Sequence, residues 1–393
     1  MKKYVLHLLF VLLTTTLFGQ AESEYYFQGK DTIIYSNALK ENRKITISLP
    51  VTFTKEKATK FPVIIVFDSQ NKRIYRQTYE TINYLVSFDE LPESIIIGIN
   101  SETNYNRYLD TSFLSTNENA KGEKLESFLF DELLPILEKE YNASKIRTFI
   151  GHSRFGYYSS YLLTNKINEL TSVISMSPFY LQENVNLVDS LQLNLSKIKL
   201  KNHVYYRFIT GDPYTDTKDY DIMKSFLEQN KIDEKLDWKG LEFYKVQHMA
   251  VPAVALPNSL IDVFNYWSEE VTKIQRSELA LTKQEYSSFK SKMKKHYGYE
   301  MGINLAILNG IAYGYNNDEK YKKAIEVWEI LLEEYPMFTY ANISISNSFF
   351  KLNNKNRAYF YLEKAKLELI NNTFYSNEEK LNIQSEIEKI INQ

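Results

Sequence analysis

At 393 residues with 44% hydrophobic side chains, the chain is long and apolar enough for two packed domains. Its 47 basic and 49 acidic residues are interspersed and give a formal net charge of −2, and nothing in this balance indicates binding to nucleic acid or to an anionic membrane surface. The absence of cysteine excludes disulfides, thiolate nucleophiles and cysteine-based metal sites.

The N-terminus has the order of a secretory signal peptide. Two lysines precede an apolar run over residues 5–17, and Gly19 stands before Gln20. We therefore predict that residues 1–19 are removed and that the protein is exported to the periplasm or secreted. The alternative is an uncleaved membrane anchor, but the run is short for a spanning helix, which needs about 20 residues. No cysteine follows the segment, which excludes a lipoprotein anchor.

Apolar runs with turn residues at their ends predict the strands of a sheet. A half-buried strand is indicated by the alternation of Ile45, Ile47 and Leu49 with polar residues. Six continuous apolar runs follow, at residues 63–67, 95–99, 148–150, 173–176, 204–209 and 241–246. Short runs that are apolar on both sides are typical of strands covered on both faces, as in a parallel sheet.

Helical patterns alternate with these strands. Apolar residues recur at i, i+3 and i+4 within residues 124–141, and helices are also predicted at 157–163, 221–229 and 259–271. The alternation predicts an α/β fold with a doubly wound, mostly parallel sheet. Such sheets bind ligands at the carboxyl ends of their strands, where the polar candidates discussed below are located.

Beyond residue 271 the strand-like runs cease and helical periodicity continues to the C-terminus. A 34-residue period relates Ala324 to Ala358 and Leu331 to Ala365, which resembles tetratricopeptide repeats. Chance periodicity in an ordinary helical bundle is the alternative. We predict an α/β domain over 20–271 and a helical linker with a tetratricopeptide-like domain over 272–393.

Residues 150–156, with the sequence IGHSRFG, have the context of a nucleophile elbow. An apolar strand enters a tight turn at Gly151, Ser153 follows, and a helical pattern begins directly afterwards. A strained turn of this kind lifts a serine hydroxyl above the sheet. The usual G-x-S-x-G pattern has glycine where this chain has Phe155, and Gly156 follows one residue later. Ser153 is the predicted nucleophile.

The general base follows by elimination among five histidines. His7 lies in the signal peptide, and the side chain of His152 should point away from the neighbouring hydroxyl. His203 precedes a strand, at the wrong edge of the sheet, and His296 lies in the helical linker. His248 follows the last apolar run and comes after the serine, as the Ser–acid–His order requires. It is the predicted base.

The acid and the oxyanion hole are less sharply defined. The loop after residues 204–209 offers Asp212, which is nearest the strand end, with Asp216 as the alternative. An oxyanion hole needs two backbone N–H groups. We predict that Arg154 supplies one and that Ser69 or Gln70 supplies the other.

Side chains near the elbow are candidates for substrate binding. Arg107 and Arg154 could hold a carboxylate or phosphate through their planar donor forks, or they could form structural ion pairs. The aromatic residues Phe155 and Tyr157 could line a binding cleft or belong to the core.

Several segments together resemble the Putative esterase (esterase D-like) family of α/β-hydrolases. They are residues 61–68 (FPVIIVFD), 91–99 (LPESIIIGI), 106–110 (NRYLD), Gly151-His152-Ser153, Ser177-Pro178 and 248–252 (HMAVP), in the family's order. Some bacterial relatives carry a repeat domain after the hydrolase, and residues 296–299 resemble the linker found there. The family includes S-formylglutathione hydrolases, siderophore esterases, feruloyl and acetyl-xylan esterases, and mycolyltransferases.

The resemblance implies a serine hydrolase that uses neither a metal nor a cofactor. The predicted activity is hydrolysis of a carboxylic ester through an acyl-enzyme on Ser153, with His248 as the base. The expected substrate is a small-molecule ester, including carbohydrate and siderophore esters. Two alternatives remain. The hydrolase domain could be inactive, leaving the helical repeats to bind a protein partner, or the acyl group could pass to an alcohol instead of water.

Overall fold

The computed structural model describes residues 29–115, 117–182, 184–211, 217–276 and 281–392. The predicted signal peptide at residues 1–19 and the predicted acids Asp212 and Asp216 lie outside these ranges. Within them, no helix combines the length and the apolar character needed to cross a bilayer.

An eight-stranded sheet organises the first domain, with strands in the order β1-β2-β4-β3-β5-β6-β9-β10. β1 and β4 pair with β2 in antiparallel fashion, and the remaining neighbours in the sheet are parallel. The strands are β1 Lys30–Ser36, β2 Glu41–Ser48, β3 Phe61–Phe67, β4 Ile95–Ile99, β5 Ala143–His152, β6 Ser172–Met176, β9 Val204–Thr210 and β10 Leu236–Glu242, while β7 Leu181–Gln182 and β8 Val185–Asn186 form a separate hairpin.

Helices connect and cover these strands. In the first domain they are α1 Lys72–Ser87, α2 Asn104–Asp110, α3 Gly122–Ser127, α4 Leu134–Glu140, α5 Arg154–Lys166, α6 Leu187–Leu195, α7 Thr217–Gln229 and α8 Val251–Arg276. A π-helix, Phe128–Leu133, joins α3 to α4, so the helix predicted over 124–141 is continuous but irregular. Pro135 lies in the first turn of α4, where its missing N–H is tolerated.

The two faces of the sheet belong to two separate hydrophobic clusters. In β3, Ile64 and Val66 pack in one cluster, with α1 and α8, whereas Val63, Ile65 and Phe67 pack in the other, with α5. Both sets are almost completely buried. The continuous apolar runs in the sequence therefore reflect burial on both faces, and the predicted doubly wound, mostly parallel α/β fold is confirmed.

The predicted position of the last strand is wrong. The last strand is β10, Leu236–Glu242, and not residues 241–246, which form the end of this strand and an exposed turn. β10 lies at the edge of the sheet and contains Asp237 and Lys239, so it lacks the apolar run of a central strand. α8 continues to Arg276, five residues beyond the predicted end of the first domain at residue 271.

Among the described residues of the C-terminal region, the regular elements are all helices, as predicted. It contains α9 Lys283–Tyr297, α10 Leu305–Asn317, α11 Tyr321–Glu334, α12 Thr339–Lys351, α13 Lys355–Ile370 and α14 Asn377–Ile391. α10 and α12 begin 34 residues apart (305 and 339), and so do α11 and α13 (321 and 355). The 34-residue period in the sequence therefore corresponds to two successive helix pairs, α10–α11 and α12–α13, whose helices start 34 residues apart.

The helical region shares a core with the sheet. One hydrophobic cluster extends from β3 and β4 through α8 to α13. Buried polar contacts also join the two regions. The Glu334 carboxylate accepts hydrogen bonds from the Thr59 amide at 3.0 Å and the Thr59 hydroxyl at 2.8 Å, and the Lys57 Nζ lies 3.5 Å from the same carboxylate. The Tyr335 hydroxyl donates to Glu93 at 2.9 Å. The two regions are therefore packed as one body.

His296 lies at the same junction, and its surroundings predict that the free energy of unfolding decreases at acidic pH. Its ring stacks between His203 and Tyr266, with centroids 4.5 and 4.0 Å away, and burial together with the neighbouring His203 lowers its pKa to about 4. An unfolded histidine has a pKa of about 6.5 and takes up a proton first. The stability due to neutral His296 is therefore present above about pH 6.5 and is lost as the pH falls towards 4.

The test compares the wild type with His296→Gln, which keeps an amide able to accept from the Tyr205 hydroxyl, 2.5 Å from His296 Nε2. Urea unfolding at pH 7 and pH 5 should show that the wild type loses more free energy of unfolding than the variant. The two proteins share all other titrating groups. If their free energies of unfolding differed by the same amount at both pH values, the prediction would be contradicted.

Candidate active site

Ser153 lies at a sharp turn between β5 and α5. It has φ 58° and ψ −119°, a conformation that is rare for a residue with a side chain, and its amide donates to the Met176 carbonyl at 2.8 Å. The turn is so tight that a Cβ on Gly151 would lie 2.0 Å from the Phe155 carbonyl oxygen. Backbone strain held by its surroundings is common at functional sites. The geometry is that of the predicted nucleophile elbow.

The departure from G-x-S-x-G is accommodated without loss of the turn. Gly156 supplies the close helix-to-strand approach, because a Cβ there would lie 2.9 Å from the Met176 carbonyl. Phe155 is completely buried and stacks on Phe67 with centroids 4.6 Å apart. Tyr157 is also completely buried. Neither ring exposes surface to a substrate, which corrects the prediction that they line a binding cleft: both belong to the core.

His248 approaches the elbow from the other side. It opens a short 3-10 helix, His248–Ala250, in the segment between β10 and α8. Its carbonyl oxygen is 2.9 Å from Nε2 of His152, and the two imidazole rings are 4.6 Å apart between centroids. His152 directly precedes Ser153. The structure therefore brings the predicted base to the residue adjacent to the predicted nucleophile, across 96 positions of sequence.

A cavity of about 380 Å³ opens above the serine. It is lined by Asp68, Gln70, Asn71, Ile74, Asn104, Arg107, His152, Ser153 and Met249. Most of these side chains are polar, and Ile74 and Met249 add small apolar surfaces. No three His, Asp or Glu side chains within the described ranges are grouped so as to hold a metal ion.

The turn after β3 decides between the two candidate oxyanion donors. The Ser69 amide already donates to the Ile99 carbonyl at 3.0 Å, within the sheet, so it is not available to a substrate. The Gln70 residue lines the cavity, and its amide has no acceptor among the described residues. Of the two predicted donors, the Gln70 amide is therefore the one left available to a substrate, together with the first amide of α5, at Arg154, whereas the Ser69 amide is already used in the sheet.

Arg107 links the turn after β3 to the turn at Ser153. Its Nε is 2.8 and 2.9 Å from the two carboxylate oxygens of Asp68, and its Nη2 donates to the His152 carbonyl at 3.2 Å. Gln70 also donates to Asp68, at 2.8 Å. Burial raises the pKa of the Asp68 carboxyl, and the Arg107 charge opposes that rise. Arg107 thus forms a structural ion pair and also lines the cavity, so both roles considered for it are compatible with its position.

The Arg154 side chain has no such carboxylate. Its Nε donates to the Thr111 hydroxyl at 3.2 Å, and its guanidinium lies 4.6 Å from the centroid of the Tyr108 ring. Nη2 is buried without a hydrogen-bond partner among the described residues. Burial, followed by the charge of Arg107, lowers the pKa of Arg154. The side chain does not line the cavity described above.

The loop predicted to hold the acid begins next to the histidine segment. Asp212 and Asp216 lie outside the described residues, so the acid stays a prediction. Gly211, the residue before them, packs against this segment so closely that a Cβ would lie 2.2 Å from the Val246 carbonyl. Val246 is two residues before His248, so Gly211 lies beside the segment that carries the predicted base.

Some site residues were not anticipated from the sequence. Asn71 and Asn104 line the cavity, but isolated asparagines in turns and helix starts carry no distinguishing signal. The contact of His152 with His248 joins residues 96 positions apart and has no local pattern in the sequence. The pairing of Asp68 with Arg107 joins residues 39 positions apart and has no local signature.

A parallel sheet with a strained serine between strand and helix, and a histidine after the last strand, defines an α/β-hydrolase. Solved structures share this fold. An uncharacterised protein from Capnocytophaga ochracea is 15% identical with a TM-score of 0.58, covering 91% of this chain and 100% of its own. An IroE-like serine hydrolase from Shewanella oneidensis is 15% identical with a TM-score of 0.59, covering 77% and 98%.

A third structure, the siderophore hydrolase EstB from Aspergillus nidulans, is 14% identical with a TM-score of 0.52 and covers 61% of this chain and 96% of its own. At these identities the likeness establishes the fold. No curated protein matches the chain in sequence. The family described as "Putative esterase" matches residues 36–239, which is 204 of 393 residues. The chain belongs to this family and is a carboxylic ester hydrolase.

Proposed function

We propose that the protein hydrolyses its ester through an acyl-enzyme on Ser153, with His248 as general base. The observation that carries the proposal is the position of the His248 ring, 4.6 Å from the ring of the residue next to Ser153. The strained turn at Ser153 and the polar cavity above it support the same assignment. Asp212 is the proposed acid that orients His248, with Asp216 as the alternative.

The reaction then follows in two steps. His248 takes the proton of the Ser153 hydroxyl as its oxygen attacks the ester carbonyl, and the Gln70 and Arg154 amides bind the resulting oxyanion. The tetrahedral intermediate collapses, and the alcohol leaves with the proton held by His248. Water, deprotonated by the same imidazole, attacks the acyl-enzyme, and collapse of the second intermediate releases the carboxylic acid and restores the serine.

The cavity favours a small and polar ester. Its volume of about 380 Å³ lies near the lower end of the range for small-molecule sites. Asparagine, glutamine and arginine side chains can form hydrogen bonds to hydroxyl or carbonyl groups of the substrate. Siderophore and carbohydrate esters have such groups, and we propose these as substrates of a protein exported through its signal peptide.

A fluorophosphonate probe tests the mechanism, because it reacts rapidly only with an activated serine. The mature protein should be labelled at a single site, and peptide mass mapping should place the label on Ser153. Hydrolysis of acetyl, feruloyl, short-chain acyl and siderophore esters should then identify the preferred acyl group. A protein that resists labelling and cleaves none of these esters would contradict the proposal.

The 34-residue spacing of the C-terminal helix pairs favours a second role. Tetratricopeptide-like repeats stack helix pairs into surfaces that bind other proteins. We propose that this region binds a protein partner, in addition to the ester hydrolysis of the first domain. If the probe did not label Ser153, partner binding would be the remaining function. Transfer of the acyl group to added alcohols would appear as new ester products.

A further inference from the structure

His152 makes a directional bond to the segment that carries the general base. Its side chain is 4% exposed, and its Nε2 lies 2.9 Å from the carbonyl oxygen of His248. A carbonyl oxygen can only accept, so Nε2 must carry the hydrogen and donate it. His152 must therefore be the tautomer with hydrogen on Nε2 (or protonated), and it holds the backbone of His248 beside the residue that precedes Ser153.

The two ends of this bond differ in rigidity. His152 ends β5 and is paired in the sheet with Met176 of β6. The segment before α8 is exposed by comparison, since Tyr244 is 75% and Met249 64% exposed. Its backbone bonds include Ala250 N to the Gln247 carbonyl at 2.8 Å, within the segment, and Phe243 N to the Thr210 carbonyl of β9 at 3.0 Å. Among the described residues, no backbone–backbone bond connects the segment to β5.

We propose that His152 is a positioning residue, which holds the His248 backbone at the distance from Ser153 required for proton transfer. The inference rests on the proposed roles of Ser153 and His248. General-base catalysis requires the nitrogen and the hydroxyl to be within hydrogen-bond reach, and small misplacements of a catalytic group reduce rates by up to about 100-fold. His152 itself takes no proton from the serine, and it acts through the main chain of the base.

Two substitutions with side chains of similar size distinguish the effect of the hydrogen bond from the effect of packing. In His152→Gln the amide nitrogen can replace Nε2 as a donor, whereas His152→Met fills a similar volume without a donor. We expect His152→Gln to keep kcat within about threefold of the wild type and His152→Met to lower kcat by about 10- to 100-fold, with KM unchanged in both. The rate of fluorophosphonate labelling at Ser153 should fall in parallel with kcat.

The outcomes distinguish this inference from the mechanism on which it rests. If Ser153 is labelled in the wild type and His152→Met retains wild-type kcat, the positioning role is wrong while the mechanism stands. If the wild type is not labelled at all, the mechanism itself fails. Equal loss of kcat in both variants would also overturn the inference. Melting temperatures report folding, and if His152→Met does not fold, His152→Asn, with a shorter amide, should show the loss of kcat.

Discussion

Ser153→Ala is expected to lower kcat/KM for p-nitrophenyl acetate by about 10⁵-fold, the largest effect of any single substitution in the chain. Removal of the hydroxyl removes the atom that forms the acyl-enzyme, so only binding and the oxyanion donors contribute to the residual rate. The variant should fold normally, because Ser153 is partly exposed and its structural bond is made by the backbone amide. Steady-state hydrolysis and a thermal melt measure the two properties.

Ser177→Ala is the matched control. Ser177 also follows a parallel strand and has a positive φ of 46°, but it is 1% exposed and lies after β6, outside the cavity. Its hydroxyl has no hydrogen-bond partner among the described residues, so its removal leaves no group unsatisfied. We expect activity within about threefold of the wild type. Wild-type activity in Ser153→Ala would show that another residue is the nucleophile.

The central strands and the elbow could be predicted because their signals are local. β3 and β4 are apolar at almost every position since both faces of the sheet are covered, and this is visible in a short window of sequence. The turn at Ser153 is predictable because Gly151 permits the close approach on one side and a helix begins on the other. Histidine is rare in the chain, so elimination leaves His248 as the predicted base.

The edge strand was misplaced because long-range contacts compensate its polar residues. Asp237 in β10 pairs with Arg207 of β9 at 2.9 Å, and Arg207 is completely buried while also contacting Asp262 of α8. A buried arginine is stable only with such partners, but neither the strand nor the helix reveals them locally. For the same reason, the bond from His152 to His248 and the pairing of Asp68 with Arg107 became visible only in three dimensions.

The choice between the Ser69 and Gln70 amides also required the structure. Both residues follow β3, and a backbone donor leaves no trace in residue type. The hydrogen bond from Ser69 to Ile99 settles which amide is already used, and this depends on how β4 lies beside β3. Sequence therefore locates the loops of the site, whereas the donors within a loop depend on pairing between strands.

His248→Gln is expected to lower kcat by about 10⁴-fold with little change in KM. Glutamine keeps a polar side chain of similar size but cannot take the proton from Ser153 at neutral pH, so attack on the ester becomes slow. The backbone carbonyl that accepts from His152 remains, and the partly exposed side chain contributes little to the core, so the melting temperature should be close to that of the wild type. Fluorophosphonate labelling of Ser153 should slow by a similar factor.

His203→Gln is the control for loss of an imidazole elsewhere. His203 lies before β9, at the opposite edge of the sheet, where it stacks on His296. It should retain wild-type kcat, because no proton transfer passes through that edge. Because Ser153 and His248 are proposed to act in the same proton-transfer step, their joint loss in a double variant should cost no more than Ser153→Ala alone: a base without its nucleophile has no proton to remove. Additive losses in the double variant would mean that the two residues act in separate steps, and His248 would then not be the base for Ser153.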